Sequence, residues 1–114
     1  MPPTPDYKSF WPVYLAAHSC KTTRLVHMTG TGLALLLLLA AILLRNPWLV
    51  LAAFLTGYAF AWFSHGVVER NKPATFGHPF WSLFSDLRML ALGLAGRLDL
   101  ELTRHGIVPK AGPN

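Results

Sequence analysis

The sequence predicts an all-α integral membrane fold: a helical hairpin of two transmembrane helices, flanked by amphipathic helices at the membrane interface. Three observations carry that expectation. Two apolar runs stand out, Leu25 to Leu44, whose polar side chains are His27, Thr29 and Thr31, and Trp48 to Phe63, interrupted by Thr56, Gly57 and Tyr58. With their flanks, both reach the ~20 residues needed to cross the hydrocarbon core. The linker between them, Arg45-Asn46-Pro47, is short enough to force an antiparallel pair, and Pro47 can open the second helix. Finally, of the 10 Lys and Arg residues all but Arg45 lie outside the hairpin turn, at its open end or beyond. By the positive-inside tendency, both termini are expected on the cytoplasmic side. The spans are placed at about 23–44 and 48–68, in a single membrane-embedded helical domain over 1–114.

Composition narrows the partners. The +5 formal charge is scattered rather than gathered with aromatics into a surface, so anionic headgroups are expected and nucleic acid is not. One cysteine, Cys20, permits no internal disulfide and fits a cytoplasmic face. The opening MPPTPDYKSFWP lacks the apolar core of a signal peptide.

Along the chain, Ser9 is expected to cap a short helix running to about Ser19, with Pro12 in its first turn. Its Phe10, Trp11, Val13, Tyr14 and Leu15 suit the interface. His18 and His27 would lie on opposite faces of one continuous helix. A break over Ser19–Thr23, with Thr22 or Thr23 as cap, lets them converge. For a turn centred near Asn46, His27 and His65 lie level across the hairpin, at its cytoplasmic boundary, with Glu69 one turn beyond on the same face. The helix is expected to fail at Asn71-Lys72-Pro73, and Thr75–Pro79 to fold back and bring His78 towards His65. From Pro79 to about Leu102 an apolar helical stripe carries Asp86, Arg88, Arg97, Asp99 and Glu101, which predicts one or two amphipathic helices broken at Gly93 or Gly96.

His18, His27, His65 and His78 with Glu69 therefore form a candidate metal site at one membrane depth. Neutral imidazole suits Fe, Zn, Cu and Ni, and ionisable groups at this depth are functional candidates. Plainer roles stand beside these: a histidine bonded to a carbonyl, Glu69 paired with Arg70, Lys72 or Arg24, Asp86 and Arg88 as a surface charge pair, a solvated His105, and Trp11, Trp48, Trp62 and Trp81 as an interfacial belt. There is no nucleophilic triad, phosphate-cradling loop or CxxC pair.

Two stretches bear a resemblance. In YLAAHSCKTTRLVHMTG the spacing is Tyr14-x3-His18-x8-His27-x2-Gly30, and in FSHGVVERNKPA residues His65, Glu69, Arg70, Pro73 and Ala74 form a His-x3-Glu-Arg-x2-Pro-Ala block. In this order around a two-span hairpin, the chain resembles the small membrane Fe(II)-dependent dioxygenases that carry out α-oxidation of 2-hydroxy fatty acids, as in phytosphingosine breakdown. The resemblance implies Fe(2+) held by His18, His27 and His65, with His78 lying outside the shared blocks. It implies attack of O2 on a 2-hydroxy fatty acid, giving CO2 and an acid one carbon shorter. On this reading Glu69 orients a ligand or completes the sphere, and Arg70, Lys72 or Arg88 steers the carboxylate. Three other functions remain open from the residues: a haem electron-transfer protein with His27 and His65 as axial ligands, a non-catalytic hairpin scaffold, and a zinc hydrolase. Self-association into a homo-oligomer is compatible with the small size.

Overall fold

The computed structural model describes residues 5–72 and 77–108. Within them the chain is all-α, as expected: α1 (Tyr7–Ala16), α2 (Lys21–Leu44), α3 (Trp48–Phe63) continued by a π-helical turn (Ser64–Glu69), α4 (Pro79–Leu94) and α5 (Leu98–Arg104). The long pair is a hairpin, and both arms, Lys21–Leu44 and Trp48–Glu69, are long and apolar enough to cross a membrane.

The turn follows from local chemistry. Arg45 adopts the left-handed conformation at φ 52°, and the Asn46 N–H reaches back to the Ala41 carbonyl at 3.0 Å. That is the six-to-one bond that closes many helix C-termini. The Asn46 side chain then accepts from the Trp48 N–H at 3.0 Å, starting α3 immediately. Further along, Gly30 lets the two arms touch. A Cβ there would sit 2.2 Å from the Phe60 Cβ, so only glycine fits this crossing.

α1 starts earlier than the sequence suggests. Asp6 is the cap, accepting from the Ser9 N–H at 2.8 Å, and the helix ends at Ala16. A carboxylate is a stronger N-terminal acceptor than the Ser9 hydroxyl, and it also meets the helix dipole. The break before α2 falls at Ala17–Cys20, and Cys20, in extended conformation, occupies the cap position expected of Thr22 or Thr23. Among the described residues no side chain caps that end.

The packed core lies at the open end of the hairpin, where Phe10, Trp11, Tyr14 and Leu15 of α1 meet Met89, Leu98 and Leu102. The aromatic face of α1 is thus directed at α4 and α5. Trp11 is buried, with its indole N–H donating to Glu101 at 2.9 Å, and so is not a belt residue; Trp48 and Trp62 remain exposed. His105 also bonds Glu101, at 3.1 Å. The break between α4 and α5 falls at Gly96, whose φ of 72° favours glycine. In contrast to this end, the arms of the hairpin turn Leu36, Ile42, Leu43, Leu44 and Leu55 outwards. Such a continuous apolar surface marks contact with lipid or partner.

Candidate metal centre

Three elements deliver three histidines. His18 comes from the break after α1, His27 from the second turn of α2, and His65 from the π-helical turn that ends α3. π-Helical turns inside helices occur frequently at functional sites. Here the turn widens the backbone where His65 and Glu69 must both face inward, and both are buried.

The junction carrying His18 is fastened from two sides. Arg24 donates to the carbonyls of His18 and Ser19 at 2.8 and 2.9 Å. Glu69 accepts from the Cys20 N–H at 2.9 Å and the Ser19 hydroxyl at 3.0 Å, tying the π-helical turn to the start of α2. Asn71 adds a third tie, donating from Nδ2 to the Ala17 carbonyl at 3.0 Å. Arg24, one expected partner of Glu69, thus serves carbonyls, and Glu69 acts as a brace.

The ligand nitrogens of His18, His27 and His65 all lie within 4.8 Å of one another. Each ring has an outer nitrogen on an acceptor. His18 Nδ1 faces the Tyr14 carbonyl at 2.7 Å, His65 Nδ1 the Asn71 Oδ1 at 2.7 Å, and His27 Nε2 the Asp86 carboxylate at 3.1 Å. Acceptors on the outside assign the proton to the outer nitrogen, leaving a lone pair on the inner one. This is how metal-ligating histidines are ordinarily oriented.

The inner side shows the consequence. His18 Nε2 and His27 Nδ1 approach to 2.9 Å, and His65 Nε2 is buried with no hydrogen-bond partner among the described residues. Two lone pairs at that distance repel unless positive charge lies between them. One cation held by all three nitrogens removes both the repulsion and the orphaned acceptor, so the donor set fits a metal ion. Burial, and then the neighbouring His27 and His65, hold His18 well below the usual imidazole range, keeping it in the neutral, ligating form. Burial, then the Asp86 charge, raises the Tyr14 phenol well above its ordinary value, so Tyr14 stays a donor, bonded to Asp86 at 2.5 Å.

The structure does not bring His78 to this cluster. Its ring stacks on Trp81 at 4.6 Å between centroids and meets Phe10 edge-on at 5.3 Å. The Thr75-Phe76 part of the loop expected to deliver it, and Pro73-Ala74 of the shared block, lie outside the described residues. Arg88 is also elsewhere: its guanidinium lies 4.1 Å from the Trp11 ring centre and 3.7 Å from Glu101. The expected Asp86–Arg88 pair fails because residues two apart on a helix point to different sides. Arg70, in the left-handed conformation, and Lys72 are exposed at the end of the π-helical turn.

Asp86, Ser82 and Asn71 join the site beyond the residues the sequence singles out: Asp86 and Ser82 share the inner face of α4, and Asn71 reads in the sequence as a helix stop. The sequence signal for the first two is a polar pair one turn apart in an apolar stripe.

From the histidines a cavity of about 290 Å³ extends between α2 and α3, with α4 as its third wall. Tyr14, His27, His65, Ser82 and Asp86 line one end; Ala34, Leu38, Ala53 and Phe54 are among the apolar residues beyond.

Fold and site together define a small helical-hairpin protein with a buried tri-histidine centre able to hold a metal, opening into an apolar cavity. Residues 4–98 match the family described as 2-hydroxy-palmitic acid dioxygenase Mpo1-like, and the chain belongs to this Mpo1-like family. No curated protein and no solved structure gives a significant match.

Proposed function

We propose that this protein is a membrane-embedded, iron-dependent dioxygenase that cleaves 2-hydroxy fatty acids by α-oxidation. The observation that carries the proposal is the convergence of three inner imidazole nitrogens, each oriented from outside by an acceptor, in a chain of this family. The overall reaction, R–CH(OH)–COOH + O2 → R–COOH + CO2 + H2O, balances without an external reductant. Bound at His18, His27 and His65, ferrous iron supplies the redox chemistry that lets O2 react with a closed-shell substrate.

The chain's own residues hold and orient. Asp86 and Tyr14 keep the His27 ring in place, Asn71 that of His65, and the Tyr14 carbonyl that of His18. Glu69 secures the break that lets His18 converge. Arg70 and Lys72, exposed beside the centre, draw the anionic substrate towards it; Arg88 has no part in this reading. The apolar arms support one membrane-spanning hairpin domain, and the basic residues at the open end support a cytoplasmic centre and cytoplasmic termini.

The geometry argues against the haem and scaffold readings, and the family match favours the dioxygenase over a zinc hydrolase. A porphyrin between His27 and His65, whose ring centres are 5.4 Å apart, would collide with His18, 2.9 Å from His27. A scaffold gives no reason to aim three lone pairs at one point. The test is to purify the protein anaerobically, count iron, and follow O2 uptake and CO2 release with a 2-hydroxy fatty acid. One iron per chain with turnover is expected, and His65→Ala should lose both. Normal turnover in that variant, or none in an iron-replete wild type, refutes the proposal.

A further inference from the structure

The cavity follows the hairpin. Its wall on α2 steps from His27 through Thr31 and Ala34 to Leu38, and on α3 from His65 through Gly57 to Ala53, each a single helix face. It is therefore a groove along the helix axes. Eleven residues separate His27 from Leu38 and twelve separate Ala53 from His65, about 16 and 18 Å at the α-helical rise.

One end of this groove is polar and unfinished. Ser82 lines it, is 2% exposed, and its hydroxyl has no hydrogen-bond partner among the described residues. A buried polar group left unpaired in a native fold calls for an explanation, and a ligand is one. The far end is apolar. A volume of about 290 Å³ is at the bottom of the range for small-molecule sites, roughly 300–1,000 Å³, enough for one chain and too little for a two-tailed lipid.

We infer that this groove binds the unbranched tail of a 2-hydroxy acid, with Ser82 donating to the head group and with groove depth setting the chain length accepted. The inference rests on the proposed function for the identity of the head group. A zigzag of ~1.5 Å C–C bonds advances about 1.25 Å per carbon, so the groove holds about thirteen or fourteen carbons beyond the head. Whole acids of about fourteen to sixteen carbons fit, the length class of the palmitic chain in the family's description. The tail lies parallel to the hairpin, in the orientation of a lipid chain, and needs no bend to reach the centre.

Small residues at mid-depth keep the groove open. A Cβ at Gly57 would meet the Ala34 Cβ at 3.8 Å, so the two face each other with ordinary contact. Ala34 is seven residues, about 10 Å, beyond His27, so a leucine there stops the tail near carbon ten.

The test measures binding separately from turnover. Saturated 2-hydroxy acids of eight to twenty carbons displace a fluorescent sixteen-carbon fatty acid from the detergent-purified, iron-loaded protein. Wild-type affinity should rise about fourfold per methylene and stop rising at about fourteen to sixteen carbons. Ala34→Leu and Gly57→Leu should each move that break to about ten carbons, weakening a sixteen-carbon acid at least ~100-fold while a ten-carbon acid stays within ~3-fold. Leu38→Ala, which removes volume and so does not risk overpacking, should move the break up by one or two carbons. Ser82→Ala should weaken all lengths by about the same factor, roughly 10-fold. An uninterrupted rise through twenty carbons, unchanged breaks in all three groove variants, or equal displacement by a two-tailed phospholipid overturns the inference. A length break without turnover of any 2-hydroxy acid instead overturns the proposed reaction and leaves the groove.

Discussion

Replacing Asp86 by Asn tests whether the histidine cluster is built for a cation. The carboxylate lies 3.1 Å from His27 Nε2, accepts from the Tyr14 hydroxyl at 2.5 Å, and its side chain is only 20% exposed. A hydrogen bond to a charged group in such surroundings contributes about 1.5–3 kcal/mol. Asparagine is nearly isosteric and keeps one acceptor oxygen, so orientation partly survives while the charge that polarises the imidazole is lost. The expected loss is ~10–100-fold in metal affinity, about 1.4–2.7 kcal/mol, as for other groups that orient metal ligands from outside. The assay is anaerobic titration of ferrous iron against a chelator of known affinity, with circular dichroism to confirm retained helix. Wild-type affinity within about twofold would refute the reasoning, since His27 would then need no outer partner.

Two further perturbations probe different links in the argument. Gly30→Ala puts a Cβ 2.2 Å from the Phe60 Cβ, so the arms must separate; overpacking of this kind costs about 1–3 kcal/mol. Because His27 and His65 sit on the two arms, iron content should fall with thermal stability, and a stable variant with full iron would contradict the close-crossing account. Glu101 probes the α1–α5 contact: the Trp11 hydrogen bond foremost, then His105, holds its carboxyl below the ordinary range. A depressed folded-state value stabilises the fold fully above the unfolded glutamate value of about 4.3, and that contribution disappears as pH falls through the folded value. Glu101→Gln should therefore unfold with a shallower acid dependence than wild type; parallel acid-unfolding profiles would show that the contact has no such role.

The hairpin, the break between His18 and His27, and the level placing of His27 and His65 were all legible in the sequence. They depend on local quantities: apolar run length, a linker too short for anything but reversal, and a constant helical rise counted from Asn46. What had to be seen in three dimensions is the rotation of α4 about its own axis, which follows from how Phe10, Trp11 and Met89 pack. That rotation turns Asp86 and Ser82 towards the histidines and sends Arg88 to Trp11 and Glu101. It also leaves His78 stacked on Trp81. Likewise, the π-helical turn and the two ends of Asn71 decide which nitrogen of His65 faces inward, because a tautomer is set by hydrogen-bond partners 6 and 54 residues away from Asn71 and has no periodicity to read. Periodicity along the chain determines which residues reach the same depth; packing between elements decides which atoms meet there.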